Sequence, residues 1–337
     1  MRLVGLWALT LLLSLSACVR RPLEDMEDQV RLKVMLEVNL INNVTTNIYN
    51  EKIPVPSVST GMMRALFYTS DGKRLVNQCF ISDRRTTEEG KEYLTGYVKV
   101  LPGEYKLLCY NFDTETTKIT NEGNFYEIAA YTPEVSEHIS SRFEASRLAV
   151  DDKIHYEPDH LLVAREEHLH VTPNASLVTI ESTATSIVDT YYLQIYVDGG
   201  QYASTASAVL SGLSASNEIG LNVRDKETST SVYFDLVRGN DKGKDVLCAT
   251  FNCFGKIEDK VSDLDVTFDV LTRDGQKVQR TFNLDEVFQT EDAKQRHWLL
   301  INDTLHIPKP IAPPSSGGGG FNPGVSDWDE EHKDVEL

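Results

Sequence analysis

The chain has 337 residues, with 51 acidic against 33 basic side chains and a formal net charge of −18. Such an excess of negative charge is repelled by phosphate backbones and sets nucleic acid aside as a partner. The 41% apolar content is enough for packed cores, and the length suggests about two domains.

Arg2 precedes an apolar run from Leu3 to Leu15. The run is too short to cross a bilayer, which needs about 20 apolar residues, and it has the shape of an export signal. It ends Leu15-Ser16-Ala17-Cys18, a spelling that resembles the bacterial lipobox. Cleavage between Ala17 and Cys18 would leave a cysteine that carries a diacylglycerol thioether and an N-acyl chain. No other cofactor is expected. Several acyl chains make membrane attachment durable, so residues 1–17 read as the signal and the expected location is the outer membrane, at the cell surface. Residues 18–28 form an acidic tether. Its Glu24, Asp25, Glu27 and Asp28 read either as a surface-export signal or as a solvated spacer.

From Val30 to Leu40 apolar residues fall on every second position, the period of a half-buried strand. Gly61 to Tyr68 and Leu75 to Ile81 flank Asp71-Gly72, a hairpin signal. Tyr93 to Val100 meets the turn pair Pro102-Gly103, and Tyr105 to Asn111 runs back from it. Residues 112–160 read as loops with a short helix. A strand resumes at Leu161 to Val163. Further strands are expected at Leu177–Ile180, Tyr192–Val197, Val232–Val237, Val246–Phe254 and Leu264–Leu271. Asp274-Gly275 then turns into Val278–Leu284, and Trp298–Ile301 comes last. No sustained amphipathic helix and no fixed-period repeat is visible. Short strands between turn signals indicate antiparallel sandwiches, one over 29–167 and one over 168–308.

Four cysteines besides Cys18 are candidates for disulfides in an oxidising compartment. Cys248 and Cys253 could bridge only across a turn, and Cys79 and Cys109 could meet across a sheet; all four also suit plain burial. His168 and His170 share one strand face without a third metal ligand, and a zinc site needs three or four. Asp151, Asp152, His155 and His160 read as a polar loop cluster. No nucleophile elbow or phosphate-binding loop appears, so no metal and no enzyme activity is expected.

Residues 309–337 differ from the rest. Prolines and Gly317 to Gly320 make a linker that is stiff and then loose. Phe321, Val325, Trp328, Val335 and Leu337 follow it, apolar residues that read as a partner-docking tail, set against plain disorder.

The lipobox, Val98-Lys-Val-Leu-Pro-Gly-Glu-Tyr-Lys-Leu-Leu-Cys-Tyr-Asn111, the Ile180 to Val197 region and the ending Gly-Gly-Gly-Gly-Phe-Asn-Pro-Gly-Val-Ser-Asp-Trp-Asp together resemble the FimB-type minor fimbrial subunits of Gram-negative anaerobes. The resemblance covers nearly the whole chain after the signal. It implies an all-β fold of two tandem transthyretin-like antiparallel sandwiches with a flexible C-terminal tail. It also implies a lipid-anchored fimbrial subunit, an anchor or accessory component that attaches or assembles a cell-surface pilus by β-strand complementation. The implied partners are pilin subunits, the outer membrane through the lipid anchor, and a host or bacterial surface ligand. Retention of the lipid and of the Val30–Leu40 strand would suit a base position, against proteolysis at Arg20, Arg21 or Arg31. The alternative is a carbohydrate-binding surface lipoprotein of a glycan-uptake system.

Overall fold

Strict alternation builds the first strand. In β1 (Val30–Val38), Val30, Leu32, Val34 and Leu36 point inward, none more than 3% exposed, while Arg31 faces solvent. The computed structural model describes residues 29–38, 60–86, 91–143, 153–173, 177–257 and 264–311.

After β1 come β2 (Met63–Thr69), β3 (Leu75–Ile81), β4 (Asp83–Thr86), β5 (Glu92–Val100) and β6 (Gly103–Asn111). An insertion then carries β7 (Lys118–Thr120), β8 (Ala129–Tyr131), helix α1 (Glu137–Phe143) and β9 (Ile154–Tyr156). β10 (Leu162–Val171) and β11 (Leu177–Ser186) complete the first sandwich. One layer runs β4-β5-β1-β11 and the other β3-β2-β6-β10. They join where Leu162 and Val163 pair with Ser186 and Thr185. Between the layers lie Leu32, Leu36, Met63, Phe67, Leu107 and Val171, all nearly inaccessible.

The second sandwich takes β12 (Asp189–Asp198), β13 (Ala203–Ser214), β14 (Ser216–Glu218), β15 (Val223–Arg224), β16 (Ser229–Asp235), β17 (Val237–Asp241) and β18 (Lys244–Cys253). It ends with β19 (Asp265–Thr272), β20 (Lys277–Asn283), helix α2 (Glu291–Arg296) and β21 (Trp298–His306). Its layers are β17-β18-β12-β21 and β20-β19-β13-β16, the latter extended by β9. Set aside β7 to β9 and β14–β15, and both sandwiches have one topology: in chain order their strands form the layers 4-5-1-8 and 3-2-6-7.

Three expectations need correction. The sandwiches are not purely antiparallel, because the first and last strands of each pair in parallel, β1 with β11 and β12 with β21. A parallel pair needs a long connection, and here the rest of the sandwich supplies it. The boundary lies between β11 and β12 rather than at 168, since β10 and β11 are both strands of the first sandwich. The Pro102-Gly103 turn is no hairpin: β5 pairs with β1 and β4, and β6 with β2 and β10, so the turn crosses between layers. Tyr105 secures this crossing by donating its hydroxyl to the Leu101 carbonyl at 2.8 Å. The hairpins at Asp71-Gly72 and Asp274-Gly275 form as expected.

The insertions tie the sandwiches together. β7 and β8 of the first pair into a small sheet with β14 and β15 of the second, in the order β15-β14-β8-β7. β9 adds in parallel to β16. Phe125, Ile128, Leu161, Ile187, Ile219 and Phe254 form an apolar cluster with Tyr68 and Tyr110 across the junction. Each such buried side chain contributes about 1.5–3 kcal/mol relative to exposure. Gly220 passes so close to the Phe125 carbonyl that an added Cβ would lie 1.7 Å from its oxygen.

Candidate interaction site

Ala17 and Cys18, and the tail residues Phe321, Val325, Trp328, Val335 and Leu337, lie outside the described residues, as do Asp151 and Asp152. The other singled-out groups have structural surroundings. His155 Nδ1 lies 2.6 Å from the Thr132 carbonyl, and the His160 carbonyl accepts from Asn111 Nδ2. His170 contacts the Glu104 carboxylate, with the core residue Leu169 between it and His168. Among the described residues no group of three metal-ligating side chains converges.

Cys79, Cys109, Cys248 and Cys253 are unbridged. Cys79 and Cys109 flank Ala65 from opposite sides, so a whole strand separates them. At about 4.8 Å per strand that spacing exceeds what a disulfide spans. Cys248 and Cys253 occupy opposite faces of β18, because five positions reverse the side of a strand. Burial pushes the Cys79, Cys109 and Cys253 thiols up.

Two features are suited to contact with another chain. The first is β1. It is an N-terminal strand held on both sides, by β11 over Arg31–Val38 and by β5 over Val30–Glu37. It therefore fills a slot in the middle of its own sheet. The second is β21. It pairs with β12 on one side, and among the described residues no strand pairs with the other. The corresponding strand β11 is closed there by β10. Across the gap the Arg280 side chain of β20 reaches β21, at 3.3 Å to the Thr304 carbonyl and 3.4 Å to Asp303. An unpaired edge offers a row of backbone donors and acceptors to an added strand. No sequence signal distinguished β21 from other strands, since an edge is a property of the assembled sheet.

The outer face beside this edge is apolar. Tyr192, Val246, Cys248 and Trp298 are buried there, with Tyr196 and Leu300 packed against them. The Tyr196 hydroxyl donates to Asp241 Oδ2 at 2.9 Å, and this bond to a carboxylate pushes the phenol up. The cleft at the junction, about 510 Å³, is lined by Asp189, Arg224, Asp225, Lys226 and Lys256 among others, with no aromatic ring on which a sugar would stack.

The chain is similar to several known proteins. A Bacteroides ovatus protein described as "Putative fimbrium anchoring subunit Fim4B" is 24% identical over 305 residues, 82% of this chain and 84% of its own length. A crystal structure of a "putative adhesin" from the same species covers 86% of this chain and 97% of its own, at 18% identity and a TM-score of 0.57, and shares the fold. The fimbrial anchor protein Mfa2 of Porphyromonas gingivalis covers 80% of this chain and 88% of its own, at 10% identity and a TM-score of 0.45. The expected kinship with minor fimbrial subunits is thus borne out. A family model described as "Domain of unknown function (DUF5119)" matches residues 44–235, more than half of the chain, and the chain belongs to that family.

Proposed function

We propose that the protein is a lipid-anchored subunit at the base of a fimbria, held in the outer membrane through acyl chains on Cys18 and joined to pilin subunits by β-strand complementation. Its two sandwiches are read as transthyretin-like. The carrying observation is β1. A subunit that accepts a donor strand needs an empty slot, and here β1 fills the slot with four core side chains. A chain that keeps its own first strand ends a strand-exchange series, as an anchor must.

The mechanics support this reading. Cys18 precedes Val30 by twelve residues, at most about 40 Å of extended chain. A pull from the fimbria against the lipid would load β1 along its axis. Hydrogen-bond ladders on both sides then resist in shear, many bonds at once. The edge of β21 that no strand among the described residues covers remains for a neighbouring subunit's strand. The relative described as a fimbrium anchoring subunit accords with this placement.

The test is co-purification from native envelopes, comparing the full chain with one that ends at Pro314. A pilin retained in an SDS-resistant complex supports the role. If only the full chain retains it, the tail with Phe321 and Trp328 is the docking element; if both do, the sandwich edge is. Retention of glycans with no pilin would move the assignment to a carbohydrate-binding lipoprotein. A surface-extracted chain that starts after Arg31 would remove the base assignment.

A further inference from the structure

The duplicated topology allows one face to be compared with its counterpart. In the first sandwich the outer face of β4-β5-β1-β11 is polar: Arg31, Tyr97, Lys99, Thr179, Glu181 and Thr183 are all exposed. The equivalent face of β17-β18-β12-β21 is not. Its register sets Tyr192 between Thr250 and Trp298, Gln194 between Cys248 and Leu300, and Tyr196 between Val246 and Thr304. Val246 and Cys248 are fully buried there, and Trp298 is 8% exposed. Yet among the described residues no strand or helix layers onto this face. The Arg296 guanidinium lies over the Trp298 ring at 4.8 Å, and Glu157 and Pro158 meet Asn252 at one corner. Three polar atoms of the face, Trp298 Nε1, Thr250 Oγ1 and Asp241 Oδ1, are shielded from water without a hydrogen-bond partner. Buried donors and acceptors without partners are costly.

The chain supplies a segment of the right length and chemistry. It leaves β21, the edge strand of this face, and at Ile311 donates its amide to Asp274 Oδ2 at 2.9 Å. Residues 312–337 follow. The linker 312–320 spans up to about 30 Å when extended. The face is about 15–20 Å across its four strands and about 30 Å along them, and Asp274 lies in the β19–β20 turn of the opposite layer, so Phe321 can reach its nearer part, and Val325 and Trp328, further along the chain, the rest. The end of the segment is acidic, with Asp327, Asp329, Glu330, Glu331, Asp334 and Glu336. Where β17 turns into β18 the rim carries Lys242 and Lys244, both exposed, between Asp241 and Asp245, with Lys244 Nζ 5.1 Å from the Tyr196 ring centroid.

We propose that the C-terminal segment Phe321–Leu337 docks in cis on the outer face of β12, β18 and β21, its aromatic residues against Tyr192, Val246, Cys248 and Trp298 and its acidic end toward Lys242 and Lys244. The segment is then parked on its own subunit before any partner takes it. This inference does not depend on the fimbrial role, and its test uses the purified chain without pilin.

Cys248 is the reporter, and Cys253, on the opposite face of the same strand and buried in the core, is the folding control. Iodoacetamide labelling of each thiol is followed by peptide mass spectrometry. In the full chain both thiols should react slowly. In a chain that ends at Ile311, Cys248 should react at least tenfold faster while Cys253 stays protected, and added peptide 312–337 should restore protection. The full-length double variant Phe321→Ala, Trp328→Ala should behave as the shortened chain does. It decides the matter if the shortened chain exposes Cys253 by unfolding. Equal Cys248 rates in the full, shortened and doubly substituted chains would overturn the proposal. So would protection that rises with protein concentration, which would assign the face to a second copy.

Discussion

Arg142 of the first sandwich's insertion grips Asp269 of the second sandwich, with Nη2 at 2.5 Å and Nε at 2.8 Å from Oδ2. The same guanidinium donates to Ser207 Oγ at 3.0 Å. Asp269 is almost fully buried, and its other oxygen has only Lys277 within reach, at 3.6 Å. Removing one partner of a buried pair leaves a desolvated charge. Arg142→Ala should therefore lower stability by about 3 kcal/mol, while Arg142→Met with Asp269→Leu should recover most of the loss. Urea unfolding of the parent chain, Arg142→Ala and the double variant measures this.

Gly220 sets the closeness of the two sandwiches. Beside it the Ile219 amide donates to the Ile128 carbonyl at 2.9 Å, and a Cβ at 220 would collide with the Phe125 carbonyl. Backbone cannot yield as a side-chain tip does, so Gly220→Ala should cost about 1–3 kcal/mol. It should also open the 112–135 segment to limited proteolysis. Gly123→Ala, where a Cβ meets nothing within 4 Å, should stay within about 0.5 kcal/mol.

Much of the strand set was legible because alternation and turn chemistry are local. β1 and the Asp71-Gly72 and Asp274-Gly275 hairpins follow from neighbours in the chain. β13 was invisible: Ala-Ser-Thr-Ala-Ser-Ala has no apolar period, yet the strand is central, between β16 and β19. Its Ala208 lies between Phe234 of β16 and Phe268 of β19, and Ala206 beside Val270 of β19, so burial comes from packing and not from its own composition. The Pro102-Gly103 turn misled because a hairpin and a crossing between layers have the same turn residues. Which strands share a layer depends on contacts distant in sequence, and so did the assignment of β11. The three-residue strands β7, β8, β9 and β14 are too short for any period to show. Of the interaction site, the lipobox and tail stand out in the sequence, whereas the filled slot of β1 and the open edge of β21 exist only in the assembled sheets.

β1 is expected to be required for folding of the first sandwich and not merely attached to it. Leu32→Ala removes a fully buried side chain between the layers and should cost about 2–5 kcal/mol. Thr179→Ala, on the solvent side of the partner strand β11, should change stability by less than about 0.5 kcal/mol. Thermal unfolding of both variants tests the contrast. Equal effects would show that β1 is dispensable to the core.

Glu157 gives the fold an expected pH dependence. Its carboxylate accepts the Asn252 amide at 3.0 Å where the insertion meets β18. Burial raises its pKa from 4.5 to about 7, and the neighbouring Asp159 and Asp235 add to the shift against the opposing amide bond. A carboxyl that binds its proton more tightly when folded contributes stability below its unfolded pKa. That contribution is full below about pH 4.5 and is lost as pH rises through about 7. At 1.36 kcal/mol per unit it amounts to at most about 3 kcal/mol. Glu157→Gln keeps an acceptor without the charge, so it should match the parent near pH 5 and exceed it at pH 8.5. Urea midpoints at the two pH values decide the matter. A parent chain that is no less stable relative to the variant at pH 8.5 than at pH 5 would mean that Glu157 ionises without cost at the junction.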